Sequence, residues 1–225
     1  MKVLVRFFAF TFLLMLSGCI EIIDDLSFND DGSGTFKYNI NLSSSKIKLN
    51  SILALDSLDG KKIPSVDELS QKIKTSVAFF KKNAGISAVS VESNFTDFTF
   101  KLQCDFASLE DLQRAIRTFI REETKSPLMP ELKHDWLSYS GSQFIRSVPL
   151  ITTKKISEIK FEDRELLKQG TYTSITRFDT EIEDFSNPNG KLSKSKKAMM
   201  SRANMYALIQ NPNLIDNRIN LVKLN

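Results

Sequence analysis

Two thiols, one imidazole and several clustered carboxylates are the groups in this chain of 225 residues that could do chemistry. His134 is the sole histidine and has Asp135 beside it, a pair that could exchange protons with a substrate. A Ser-His-Asp arrangement would have to use this His134, and no GxSxG elbow accompanies it. More often, a neighbouring His–Asp pair is an exposed polar pair at the start of a strand. One histidine also excludes an HExxH zinc site, and no cysteine pair can replace it. Neither a GxxxxGK[ST] phosphate loop nor a GxGxxG fingerprint occurs, and Gly32-Ser33-Gly34 is only a turn. Hydrolysis by paired carboxylates needs two acids ~5 to 10 Å apart. Asp24 with Asp25, and Glu181 with Glu183 and Asp184, are the clusters close enough in sequence to be considered, although such clusters are usually solvated faces. Asn29, Asp30 and Asp31 offer oxygens for Ca²⁺, but Ser27 and Tyr38 fall where the first and twelfth ligands of an EF-hand would be, so a hairpin turn is expected. The sequence thus assigns no catalytic residue, no metal ligand and no cofactor.

The thiols divide into two kinds. Cys19 closes a three-part N-terminus in which Lys2 and Arg6 precede an apolar run, Phe7 to Leu16, interrupted by Thr11. That run is too short for a bilayer span, which needs ~20 residues, and fits the core of a signal peptide. Leu16-Ser17-Gly18-Cys19 resembles the lipobox of bacterial lipoprotein precursors. The resemblance implies cleavage between Gly18 and Cys19 and transfer of a diacylglyceryl group to the Cys19 sulfur. Two acyl chains hold a protein stably where one does not, at ~0.8 kcal/mol per buried CH₂. No second long apolar run exists, so lipid on Cys19 is the only expected anchor. Ile20, rather than Asp, follows the cysteine, and in enterobacterial-type sorting that directs a lipoprotein to the outer membrane. That rule is not general to all bacteria.

Residues 1–18 are therefore the expected signal peptide, and 19–225 a single extracytoplasmic domain. Removing Lys2 and Arg6 from a formal charge of +4 leaves the mature chain near +2, too little and too scattered for nucleic-acid binding. With Cys19 acylated, Cys104 has no partner for an intramolecular disulfide. Alternation places Phe98, Phe100, Leu102, Cys104 and Phe106 on one strand face, so Cys104 is expected as a buried structural thiol.

The elements needed to position these groups can be traced through the first 125 residues. Ile20 to Asn29 is expected as a strand with Ile20, Ile22, Leu26 and Phe28 inward, turning at Asn29–Gly34 into a strand over Thr35 to Leu42. Residues 43 to 63 form a loop with a short helical piece. A helix opens at Ser65, where Ser65 and Glu68 make a capping box, and buries Val66, Leu69, Ile73, Val77 and Phe80 before stopping at Gly85. Strands follow over Ile86 to Glu92 and Phe98 to Phe106. Ser108 then starts a helix with Leu109, Leu112, Ile116, Phe119 and Ile120 as its stripe, ending near Lys125. The second half is less patterned. It suggests a Trp136–Val148 hairpin, a charged helix over Ile156–Gln169, a strand over Thr171–Asp179, an Asn187–Gly190 turn, an element over Lys197–Ile209 that could be strand or helix, and a last strand over Leu214–Val222. The fold class is α+β: a largely antiparallel sheet with two main amphipathic helices packed on one face.

These features resemble the LppM-type bacterial lipoproteins. The resemblance rests on the lipobox, the strand directly after Cys19, the Asp30-Asp31-Gly32-Ser33-Gly34 turn, and the run from Ala84-Gly85-Ile86 through Phe106 to Leu109. Phe178 through Ile182 to the Asn187–Gly190 turn is a weaker echo, and the charged stretch Lys154 to Lys168 has no counterpart. The resemblance implies an extracytoplasmic α+β domain and carries over no catalytic residue. The expected function is a membrane-anchored cell-envelope lipoprotein, a non-enzymatic binding or assembly module held close to the bilayer and acting on a lipid or envelope protein. Phe-rich faces could line an apolar pocket for a lipid tail. The alternative is a carboxylate-dependent cell-envelope hydrolase.

Overall fold

The computed structural model describes residues 20–58, 60–124, 130–148, 164 and 167–223. The expected signal peptide, Cys19 and most of the charged segment from Lys154 to Lys168 lie outside these residues, as does most of the Ile156–Gln169 helix expected there, of which residues 164 and 167–169 are described and helical. The chain folds as mixed α+β with mostly antiparallel strands.

The first hairpin pairs β1 (Glu21–Phe28) with β2 (Gly34–Asn41) through the expected turn. Gly32 takes φ +85°, and Asp31 Oδ1 accepts from the Ser33 amide at 3.0 Å and its hydroxyl at 2.6 Å. After a 3₁₀ turn come α1 (Lys46–Leu53) and a small hairpin of β3 (Ser57–Leu58) and β4 (Lys61–Lys62). Helix α2 (Val66–Phe80) begins with the capping box: Ser65 Oγ accepts from the Glu68 amide, and the Glu68 carboxylate accepts from the Ser65 amide. Strands β5 (Ile86–Asn94) and β6 (Thr99–Phe106) feed α3 (Leu109–Thr124), where Ser108 Oγ accepts from the Asp111 amide. Gly85, at φ +78°, joins α2 to β5 where α3 begins, and a Cβ there would collide with the Asp111 carboxylate. Only glycine meets both demands.

The second half contributes the hairpin of β7 (Leu137–Tyr139) and β8 (Gln143–Arg146), then β9 (Thr171–Phe178), β10 (Ile182–Phe185), β11 (Lys191–Leu192), β12 (Ala198–Asn204) and β13 (Asn217–Leu221). The ambiguous segment after Lys197 is both strand and helix. At the end of β12, Asn204 turns the chain and its side chain accepts from the Ala207 amide, starting α4 (Met205–Gln210).

The strands form two main sheets rather than one. The larger runs β11-β12-β9-β1-β2-β6-β5, antiparallel except where β9 lies parallel to the central β1. The smaller runs β10-β13-β8-β7. It shares one face of the large sheet with the helices: α2 and α3 lie over the β2-β6-β5 side, and the small sheet lies over β1 and β9. Phe28 marks the junction, with its ring 5.8 Å from Phe106, 5.4 Å from Phe144 and 5.5 Å from Phe178. A second sheet was not expected, because its strands are short and far apart in sequence. Buried Gln113 of α3 stitches it in place. Its Oε1 accepts from the Trp136 and Leu137 amides, and its Nε2 donates to the Leu137 carbonyl, so the side chain acts as a strand neighbour for the edge of β7.

The inward face of β1 carries Asp24 between Ile22 and Leu26, in the register that alternation assigns to the core. Asp24 and Arg146 of β8 are both buried, at 6% and 5% exposure. Arg146 Nη1 donates to Asp24 Oδ2 at 2.7 Å, and the Tyr172 hydroxyl donates to the same oxygen at 2.8 Å. Burial opposes the Arg146 charge, but Asp24 and Tyr172 hold its pKa above the ordinary value. Burial, and then the Asp24 charge, push the Tyr172 phenol well above its usual range. Arg146→Met alone strands a buried carboxylate and should lower the unfolding free energy by roughly 3–5 kcal/mol in urea titrations, whereas the Asp24→Leu/Arg146→Met double variant should recover most of that loss. The unfolded state releases tyrosine protons near pH ~10 while folded Tyr172 keeps its own, so stability should fall as pH rises beyond that point, and less steeply in Tyr172→Phe.

Candidate functional site

Helices α2 and α3 do not seal against the large sheet. Between them lies a cleft of about 450 Å³. Its floor is Tyr38 and Ile40 of β2, Phe100 and Leu102 of β6 and Val91 of β5, and its walls are Leu69, Ile73 and Val77 of α2 and Phe119 of α3. The cleft explains why the α2 stripe is only half-buried at Leu69, Ile73 and Val77, while Phe80, beyond it, is buried. Val66, expected in that stripe, is 41% exposed because α2 begins beyond the edge of the sheet. A bulge in β5 between Ser87 and Ser90, with Ala88 at φ +48°, resets the alternation so that Ile86 and Val89 are buried and Val91 reaches the cleft.

Polar groups are confined to the rim. Lys72 of α2 pairs with Glu123 of α3 at 3.0 Å, and the Ser76 hydroxyl donates to Glu123 at 2.8 Å, so charge bridges the two helices across the opening. On the floor, Tyr38 sits opposite Asp24 in the β1–β2 register. Burial, with a smaller contribution from Asp24, raises its phenol pKa and keeps it neutral. An apolar interior of this size with polar groups at its edge suits a hydrocarbon chain or another apolar ligand.

The sequence candidates for catalysis are not brought together. Asp24 and Asp25 point to opposite faces of β1. Asp24 is held by Arg146, and Asp25 accepts from Arg177 at 3.0 Å. Glu181, Glu183 and Asp184 are exposed, and Asp184 accepts from Asn220. His134 is exposed, while Arg117 donates to its carbonyl at 2.9 Å, to Asp135 at 2.5 Å, and stacks 5.0 Å from the Trp136 ring centre. Asp135 is therefore committed to an arginine. Among the described residues no group of three or more acidic, histidine or cysteine side chains could hold a metal ion. Cys104 lies on the inward face as expected, fully buried.

Sequence reasoning missed the Asp24–Arg146–Tyr172 cluster and gave no position for the apolar pocket that Phe-rich faces could line. The first left a signal, a carboxylate in an otherwise apolar register. The second left none, because a gap between layers has no sequence pattern.

No protein-family model matches the chain, and no curated protein matches it. Among solved structures it is similar to the NMR structure of the folded domain of the Mycobacterium tuberculosis LppM protein, with 11% identity, 91% of this chain and 90% of that chain covered, and a TM-score of 0.42. At that level the likeness carries no argument about function. No described helix is long and apolar enough to cross a membrane.

Burial, and then Asp105, push the Cys104 thiol up to about 12. The Cys104 thiol should therefore resist alkylation in the native protein at pH 8 and react fully in denaturant, as measured by mass shift.

Proposed function

We propose that this protein is a cell-envelope lipoprotein anchored through acylated Cys19, and that its domain is a non-enzymatic module that takes an apolar ligand of acyl-chain type in the cleft between α2, α3 and the large sheet. The cleft itself supports the binding role: about 450 Å³ of space with an apolar lining and a charged rim. The lipobox Leu16–Cys19 and the strand beginning two residues after Cys19 support the anchor. Ile20 after the cysteine favours the outer membrane. A carboxylate hydrolase finds no support in the placement of Asp24, Asp25, Glu181, Glu183 and Asp184.

Native mass spectrometry of the mature full chain, extracted from membranes, tests this reading. A co-purifying lipid is expected, and a fluorescent fatty acid should bind the delipidated protein. Leu102→Trp fills the floor of the cleft and should weaken that binding at least tenfold, with little change in thermal stability. A clean apo mass together with unchanged fatty-acid affinity in Leu102→Trp would sink the ligand assignment.

A further inference from the structure

Two rows of the large sheet make the floor of the cleft, and they differ in chemistry. The outer row, Ile40 beside Phe100, lies next to the strand ends at Asn41 and Thr99, where Phe95 meets the Phe100 ring edge-on at 5.3 Å. The inner row is Tyr38, Leu102 and Val91. One row farther in, Phe36 and Cys104 are buried and lie outside the cleft. Lys101 also borders the cleft, but alternation turns its side chain to the other face of the sheet, where it pairs with Glu92 at 3.1 Å. Tyr38 is thus the polar side chain of the floor, and it stands at the inner end.

No described residue shares a hydrogen bond with the Tyr38 hydroxyl, whereas the Tyr172 phenol nearby donates to Asp24. Asp24 stands opposite Tyr38 in the β1–β2 register, and its own cluster is short of partners: Asp24 Oδ1 and Arg146 Nη2 are buried and unbonded. Buried polar groups in native proteins are nearly always bonded, so unmet ones beside an apolar cavity point to a ligand that brings a polar group of its own. Tyr38 is the member of this neighbourhood that the cleft exposes.

The charges around the cleft decide what that group can be. Its two lysines are both paired, Lys72 with Glu123 and Lys101 with Glu92, so no unpaired cation among the described lining residues awaits a carboxylate or phosphate. Burial, and then the Asp24 charge, raise the Tyr38 pKa, and the same two effects oppose an anion beside the phenol.

We propose that the inner end of the cleft seats an uncharged oxygen, a hydroxyl or an ester carbonyl, on the Tyr38 hydroxyl, with the ligand's hydrocarbon running over Leu102, Phe100 and Ile40 toward the outer end. The assignment rests on the ligand-binding reading of the cleft and narrows it. Long-chain alcohols and neutral acyl esters are the preferred class, and a fatty-acid anion binds by its chain alone, with its carboxylate at the rim.

The test displaces a fluorescent fatty acid from the delipidated mature full chain with dodecanol, methyl dodecanoate or dodecanoate at neutral pH. Dodecanol and the ester should outcompete dodecanoate. In Tyr38→Phe their affinities should fall about fivefold, the worth of one hydrogen bond, while that of dodecanoate is unchanged. Nuclear Overhauser contacts, read in the unsubstituted protein and so independent of how the variant folds, should join the Tyr38 ring to the hydroxyl-bearing methylene of dodecanol. Equal loss of all three competitors in Tyr38→Phe, no loss of any, or Overhauser contacts to the terminal methyl instead overturns the seat and leaves the cleft reading in place. Failure of the fluorescent acid to bind, or its indifference to Leu102→Trp, removes the cleft reading and the seat with it.

Discussion

A buried ion pair ties the two sheets of this domain together. Asp24 stands on the central strand of the large sheet, where it is buried, and its charge is tolerable only because Arg146 crosses from the small sheet with Tyr172 beside it. Burying charge is expensive, and a pair recovers that cost only when the geometry is good. The interaction therefore specifies more than it stabilises: β8 must lie over β1 at one register, or both charges are stranded. Asp24 Oδ1 and Arg146 Nη2 have no hydrogen-bond partner within the protein, so even the formed pair is incompletely satisfied. Farther along β1, Phe28 packs the two sheets together through ring contacts with Tyr139 and Phe144 of the small sheet and Phe178 of the large one.

The small sheet has a consequence for the helices. It occupies the β1–β9 side of the inward face, so α2 and α3 are confined to the β2-β6-β5 side. Gln113 holds α3 against the edge of β7. Helix α2 is fastened to α3 near its middle, where Lys72 and Ser76 bond Glu123, and to the sheet at its end, where Phe80 is buried and Gly85 leads into β5. The cleft opens between these two attachments, and the Lys72–Glu123 pair spans it without filling it. Shape here follows from where the layers are fastened.

Local structure was largely readable in the chain because local rules govern it. The Asn29–Gly34 turn, both helix starts, and the burial of Cys104 and Phe106 follow from short-range chemistry and strand alternation. The strand-or-helix ambiguity after Lys197 was real, since Asn204 caps a helix directly where a strand ends. Asp24 and Asp25 looked like a pair because they are adjacent. In a strand adjacency guarantees opposite faces, so they end with different arginines.

The sequence by itself determined the α+β character, the inward faces of the main strands and the want of a recognisable catalytic motif. These rest on residue type and on periods of two and 3.6, which neighbouring residues are enough to reveal. Tertiary structure alone decided that β9 runs beside β1, that a second sheet covers half of the inward face, that Arg146 reaches Asp24, and that an apolar cleft remains between helices and sheet. Each of these joins residues more than a hundred positions apart or depends on how completely two layers close, and no local pattern encodes either.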